Sequence, residues 1–456
     1  MNRTEYLNQP EILKKPEHIR ISQCMIVKNE EKNIERALSW GKDLVWEQIV
    51  VDTGSTDRTV ELAKAMGAKV FYFEWIEDFA AAKNYAISKA KGDWIAFLDA
   101  DEYITEEGVK KLFQLFLQLI SRKFDGLSTG WQQLNDEGQI FSSGTQVRFF
   151  RNSPDIRYRR RIHEQLESVS GKELRIADAV NEISIFHVGY QKQVEAEKNK
   201  SNRNRKLILK ELEEHPQDYE MMGYLGDDYF STGEKEEARK WYLRATEYMP
   251  DQIKSYDQRS AVTFTSLMTL LSEQENASWD EVGKVYDQAV RLMPQEADID
   301  YMAGRFFAAQ NQAEKAIVYL EAAIEKLNTY GCYNKALILA ADLLNAYEVL
   351  VKCCYEAGEK QKCLSYAVSY LKYQPYGMAV LSRLLKTFFF QKETEKPDNP
   401  AENREVMEFL FRLYSPDSLK DKLFILKTAN MSGCRHFAEF FGRQCFSAEE
   451  RQMLGL

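Results

Sequence analysis

The sequence predicts two domains of different class: an α/β domain on a mainly parallel sheet over residues 1–190, and an all-α domain of stacked helical hairpins over residues 217–456. Three observations predict this. Between Ile21 and His187, short runs rich in β-branched and aromatic residues alternate with amphipathic segments, and helical crossovers of that kind return each strand in the same direction. The β-rich pattern stops near Val188. Beyond Pro216, small and aromatic residues recur at a helical-repeat spacing.

Composition sets the outer limits. The 456 residues exceed what one core organises, so more than one domain is expected. No run approaches the roughly 18–20 uncharged apolar residues needed to cross a bilayer. The polar opening "MNRTEYLNQPEILKKPEHIR" lacks a secretory apolar stretch, and the expected location is the cytoplasm. Seven cysteines without CxxC spacing point to reduced thiols, with the adjacent Cys353 and Cys354 packing on a helix. A net charge of −9 argues against a general nucleic-acid binder.

The elements follow in order. "ISQCMIV" (21–27), "EQIVV" (47–51), "KVFYFE" (69–74) and "WIAFL" (94–98) are the expected strands. Between them "NEEKNIERALSW", "TDRTVELAKAMGA" and "DFAAAKNYAISKAKG" carry apolar residues at helical spacing, with Gly67 and Gly92 placed as C-terminal stops. Ligands of open parallel sheets bind beyond the carboxyl ends of the strands. There the sequence reads "VKNEE" (27–31), "DTGSTD" (52–57) and "DADE" (99–102). The first exit has no GxGxxG turn, and a Walker A loop is absent. Phosphate must be handled another way. Asp99-Ala100-Asp101 offers two carboxylates of the type preferred by Mg²⁺ and Mn²⁺, ions commonly completed by substrate phosphates. Such a metal would neutralise charge on a nucleotide leaving group; a solvated turn is the plainer reading of an isolated acidic pair.

"MIVKNEEKNIERAL", "IVVDTGSTDRTVELA", "DFAAAKNYAISKAKGDWIAFLDADE" and "RIHEQL", in that order over residues 20–190, resemble family 2 glycosyltransferases of the GT-A fold, a Rossmann-like architecture. The resemblance implies transfer of a sugar from a nucleotide diphosphate donor, a UDP-sugar, with inversion at the anomeric carbon. It implies that Glu30 accepts from the ribose hydroxyls and that Asp52 faces the uracil, both being acceptors suited to those donors. Gly54 lets the backbone turn closely, and Ser55 and Thr56 are expected to cap the next helix. Lys83 stands where the family usually has arginine; as a point charge it can hold a phosphate but lacks the planar fork. Asn84 is a donor-site candidate or a packing residue.

For the metal, the resemblance makes Asp101 the direct ligand, with Asp99 contacting the donor sugar or the metal through water and Glu102 supporting them. His187 of "IFHVGY" is assigned to complete the metal sphere, although His163 also offers an imidazole. Inversion needs a base opposite the leaving diphosphate. Glu164 of "IHEQ" matches the family's acidic position, with His163 as neighbour or substitute. "RYRRR" (157–161) places four arginines nearby, and one or two of them, Arg161 included, are expected at the diphosphate or an acidic acceptor.

The second half reads differently. "QKQVEAEKNKSNRNRKLILKELEEHPQD" is a polar connecting helix (191–216) ending at Pro216. In residues 219–250, Leu225-Gly226, Tyr229, Ala238, Tyr242, Ala245 and Pro250 occupy tetratricopeptide positions. Weaker copies contain Tyr286, Ala289 and Pro294, then Gly304, Phe307, Ala316 and Ala323, then an irregular repeat closing near Pro375. The last eighty residues, polar "QKETEKPDNPAENRE" (391–405) among them, are expected as a loop and more helices. A single hairpin has too little core, so several must stack. They supply either a scaffold or homodimer surface or a groove for a polypeptide acceptor. With "FLDAD", "IHE" and "FHVGY", this plan resembles the bacterial sublancin-type peptide S-/O-glycosyltransferases. A glycan or lipid-linked acceptor, or an inactive peptide-binding scaffold, is the alternative.

Overall fold

The computed structural model describes residues 19–119, 124–135, 137–188, 194–253, 258–331, 338–391 and 394–454. The chain divides into two compact units, Met1–Gln217 and Asp218–Leu456.

In chain order the first unit contains β1 (Ile21–Val27), α1 (Ile34–Ser39), β2 (Glu47–Asp52), α2 (Thr59–Ala65), β3 (Lys69–Tyr72), α3 (Phe79–Lys89), β4 (Trp94–Phe97), β5 (Glu102–Tyr103), α4 (Glu106–Leu119), β6 (Gly126–Leu134), β7 (Ile140–Arg151), β8 (Ile156–Arg159), β9 (Gln165–Ser168), β10 (Ile176–His187) and α5 (Val194–Glu214). Eight strands form one sheet in the order β3-β2-β1-β4-β7-β6-β10-β5. β3, β2, β1 and β4 are parallel, β7 runs against β4 and β6, and β10 is parallel to β6. The sheet is therefore mainly parallel, GT-A-like, with an antiparallel element let into its centre.

Both faces of the parallel half are covered, which is why β1 and β4 read as near-continuous apolar runs. All four residues of β4 are buried. Its side chains alternate, as strand pleating requires: Ile95 and Phe97 pack with Ala86 and Ile87 of α3, while Trp94 and Ala96 pack with Leu112 and Phe116 of α4. Met25 and Val27 meet Ile34, Ala37 and Leu38 of α1.

Gly67 does stop α2: it takes φ +88°, and the Ala68 N–H closes back to the Ala63 carbonyl at 3.1 Å. Gly92 does not stop α3. That helix ends at Lys89 with Ala90 already extended, and a Cβ at Gly92 would lie 2.7 Å from the Arg20 carbonyl. Glycine is needed there because β1 passes too close for a side chain. Strands β6, β7 and β10, of which β7 runs against the rest, were not expected, since "GLSTGWQQL" and "IFSSGTQVRFFR" carry too many polar and glycine positions to stand out.

α5 ends just before Pro216 as expected, but it is packed on the first unit. Arg161 pairs with Glu214 and lies against Glu211, and Lys206 Nζ reaches Glu77 at 2.5 Å. The expected connector thus belongs to the α/β unit.

The second unit is helical. α6 (Tyr219–Ser231) and α7 (Lys235–Tyr248) form the first hairpin, α8 (Gln258–Ser272) and α9 (Trp279–Leu292) the second, and α10 (Ala297–Ala309) and α11 (Ala313–Tyr330) the third. Asp218 caps α6 by accepting from the Met221 N–H at 3.0 Å. A Cβ on Gly226 would sit 2.5 Å from the Tyr242 ring, and one on Gly304 would sit 2.6 Å from Leu320. Small residues thus set the spacing within these hairpins. Helices Leu343–Glu356 and Lys360–Tyr373 make the repeat that closes near Pro375. In the 391–405 stretch a two-stranded hairpin, Phe390–Gln391 with Thr394–Glu395, precedes a helix at Pro400–Leu410. The six described cysteines are free thiols, Cys353 and Cys354 buried among them, and Cys332 lies outside the described residues. Among the described residues no helix is long and apolar enough to cross a membrane.

Candidate active site

The loops after β1 and β2 are built into each other. Parallel register sets Val27 beside Asp52, so the two exits leave the sheet together. Asn29 takes φ +59°, a conformation asparagine tolerates, and its Oδ1 accepts from the Thr56 N–H at 2.8 Å. Its own N–H donates to Ser55 Oγ at 2.9 Å. Ser55 and Thr56 therefore tie the two loops and do not cap α2. The N-cap of α2, Arg58, makes no side-chain cap, and Asp57 just before it accepts from the Thr59 N–H at 3.0 Å. The buried Asp52 carboxylate accepts from the N–H groups of Gly54 and Ser55, each at 3.1 Å. It thereby holds the turn in which Gly54 adopts φ +108°, where any other residue is strained. Glu30 is half-buried and accepts from Asn33 Nδ2 at 2.9 Å. Burial raises its pKa, the Asn33 hydrogen bond opposes that rise, and the charges of Asp101 and Asp99 add to it.

β4 delivers Asp99 into a line of alternating charges. Arg148 of β7 donates from Nη2 to Asp99 Oδ2 at 2.8 Å and to Glu102 Oε1 at 2.5 Å. Glu102 is fully buried, and it also accepts from Trp131 Nε1 at 2.8 Å and from the Asp99 N–H at 2.9 Å. On the other side of Asp99, Lys83 Nζ lies 3.7 Å from Oδ1 and pairs with Glu164 Oε1. Burial works against the Asp99 charge, yet Arg148 and Lys83 prevail and hold its pKa well below the usual carboxylate range. Arg148 was missed by sequence reasoning: "TQVRFFR" announces neither the strand it forms nor that one of its arginines turns inward.

Asp101 points elsewhere. Its Oδ2 lies 3.1 Å from His187 Nε2, and its carbonyl accepts from the Val188 N–H at 3.1 Å. Antiparallel pairing of β5 with β10 sets His187 beside Glu102, and the Trp131 ring lies 5.0 Å from the imidazole. Burial lowers the affinity of His187 for its proton, but the hydrogen bond and charge of Asp101 outweigh that and raise its pKa. The Asp101 carboxylate suits Mg²⁺ or Mn²⁺, and His187 Nε2 could join it on Mn²⁺ once the proton shared with Asp101 is lost, with water and substrate phosphate supplying the remaining ligands. Among the described residues no group of three His, Cys, Asp or Glu side chains converges as a cation site; Asp99 is engaged by Arg148 and Lys83.

Glu164 lies between β8 and β9, in a segment where Arg160 (φ +73°) and His163 (φ +50°) both adopt left-handed backbone. Two such residues so close together are uncommon and are held by their surroundings. Asn84 supplies part of that support: its Nδ2 donates to the Tyr158 carbonyl at 2.8 Å, and its Oδ1 accepts from the Tyr158 N–H at 3.0 Å. Arg161 is engaged by Asp78 and by Glu214 of α5. Arg157 donates to the Ser153 and Ile156 carbonyls, so much of the basic run is spent on local structure. The structure thus links Asp99, Lys83 and Glu164 directly and pairs Asp101 with His187.

Residues 22–122 match the family model described as Glycosyl transferase family 2. This chain carries a family 2 glycosyltransferase domain. A TPR repeat-containing protein of Synechococcus elongatus is 35% identical over 227 residues, covering 48% of this chain and 55% of the relative. The SPbeta prophage-derived glycosyltransferase SunS of Bacillus subtilis is 27% identical over 283 residues, covering 61% of this chain and 64% of the relative. The chain thus spans between about half and two thirds of the lengths of these relatives. The crystal structure of an S. aureus TarS fragment in complex with UDP-GlcNAc aligns with 64% of this chain and 92% of that one, at 16% identity and a TM-score of 0.35. That likeness is too distant to lend a role to any residue.

Proposed function

We propose that this glycosyltransferase uses a UDP-sugar and Mg²⁺ or Mn²⁺, inverts the anomeric carbon, and delivers the sugar to a peptide or protein side chain. The observation that carries the reading is the chain of contacts at the carboxyl edge of the parallel strands, where Lys83 joins Asp99 to Glu164 and Asp101 lies beside His187, the place where open sheets of this class bind ligands. Asp101 and His187 would hold the ion, which when bound offsets the charge gathering on the departing diphosphate. Glu30 accepts from the ribose, and the turn held by Asp52 and Gly54 cradles the base. Asp99, fixed by Arg148, orients the transferred sugar.

Glu164 is the general base. As the acceptor atom forms its bond to the anomeric carbon, the carboxylate takes that atom's proton, and the bond from the carbon to the diphosphate oxygen breaks with its electron pair leaving on UDP. Attack from the face opposite the diphosphate inverts the centre. The helical repeats supply the surface for a polypeptide acceptor, the acceptor class implied by the resemblance of the sequence to the sublancin-type enzymes. Thermal unfolding with a panel of UDP-sugars tests the donor half of the proposal. A ligand that binds only the folded chain at about 100 times its Kd stabilises by about 2.7 kcal/mol, so one UDP-sugar with Mn²⁺ is expected to raise the midpoint and the same compound without metal to do far less. No shift with any UDP-sugar overturns it. Transfer to a glycan and not to peptides would replace the acceptor.

A further inference from the structure

The resemblance assigns Lys83 to the donor phosphates, but its surroundings point to another task. The side chain rises from α3 and is 5% exposed. An ammonium has three donors, and here one pairs with Glu164 Oε1 while Asp99 Oδ1 lies 3.7 Å away. The rings of Phe97 and Tyr158 stand 5.3 and 5.1 Å from Nζ, within the range at which aromatic faces attract a cation. The group is held on several sides, with little room left for a phosphate. It also sits between two carboxylates from different parts of the fold, one at the end of β4 and one in the β8–β9 segment.

That segment needs holding. Arg160 and His163 keep left-handed backbone just before Glu164, and an ion pair to Lys83 holds the Glu164 carboxylate itself. Asp99 is meanwhile held from its far side by Arg148 at 2.8 Å, so Lys83 joins Glu164 to a rigid point. We propose that Lys83 is a positioning residue that sets the place of Glu164 relative to Asp99, and that it acts on the transfer step and not on donor affinity. This rests on Glu164 being the base.

A residue that works through another should add nothing once its partner is gone. The test is a cycle of K83M, E164Q and K83M/E164Q, with K83R as the conservative variant, reading kcat for transfer together with donor affinity by calorimetry in Mn²⁺. K83M is expected to lower kcat by about 100-fold or more, the scale of a misplaced general base, with the donor Kd changed less than about threefold. K83R should recover part of that loss, and K83M/E164Q should be no slower than E164Q. If K83M does not fold, the comparison of K83M/E164Q with E164Q still decides, because in the double variant the Glu164 charge is gone and Asp99 keeps Arg148. A donor Kd that rises in step with the loss, or a further fall in kcat on the E164Q background, overturns the proposal. A wild-type chain that turns over no UDP-sugar with Mn²⁺ instead brings down the transferase reading on which the proposal stands.

Discussion

Arg148 opposes the charge of Glu102, a carboxylate with no exposed surface. Burial pushes the Glu102 pKa up, and Arg148 is the cation that pulls against it. Arg148→Met leaves Glu102 without its counter-charge and Asp99 with Lys83 alone, and breaking a buried pair in this way destabilises by about 3–5 kcal/mol. Urea denaturation measures it; a loss below about 1 kcal/mol would show that the pair does not support the site. Away from the site, Glu47 is 3% exposed and accepts from Lys69, Ser22 and the Lys91 N–H, each at 2.7 Å. Burial disfavours its charge, but these bonds prevail and lower its pKa. The stabilisation is therefore whole above the ordinary glutamate value of about 4.3 and fades as pH falls through the lower folded value. Glu47→Gln should melt earlier than wild type near neutral pH and show a flatter dependence of midpoint on pH between about 5 and 3. Parallel curves would contradict this. Asp99, Asp101 and Glu164 were legible because each sits where an apolar run or a family motif ends. Arg148 and the engagement of Lys83 were not, since a charge inside an antiparallel strand or on a helix does not announce which way it turns.

Hairpins of the second unit depend on close approach at single positions. Gly226→Ala drives a methyl into the face of Tyr242, whose hydroxyl is itself tied to Asp227 at 2.7 Å. The ring is buried and cannot step aside freely. Overpacking of this kind costs about 1–3 kcal/mol, to be read as a lower unfolding midpoint by circular dichroism, and a neutral or stabilising alanine would refute the packing. Gly226 and Tyr242 stood out in the sequence because repeat spacing exposes them. The parallel strands stood out for a similar reason, being apolar on both faces. β6, β7 and β10 are broken by glycine and polar residues and left no comparable pattern. α5 was visible as a helix, but its attachment through Arg161 and Glu214 depends on a partner 53 residues distant, which no local pattern reveals.

At the scale of the molecule, the α/β unit followed by helical repeats could be read from the change of periodicity near residue 188 and from the tetratricopeptide spacing beyond Pro216. The acceptor could not, because the groups that would recognise it belong to no short motif. The central claim concerns the first unit: its carboxyl edge gathers acidic groups that, with a divalent ion, activate a sugar nucleotide. The most direct measurement is UDP release from the UDP-sugar found by thermal shift, with and without Mn²⁺, for the wild type, Asp101→Ala and Glu164→Gln. Metal-dependent release by the wild type, abolished in Asp101→Ala and reduced by about 100-fold or more in Glu164→Gln, is the predicted result. Release that persists at wild-type rate without metal, or in Asp101→Ala, would contradict it.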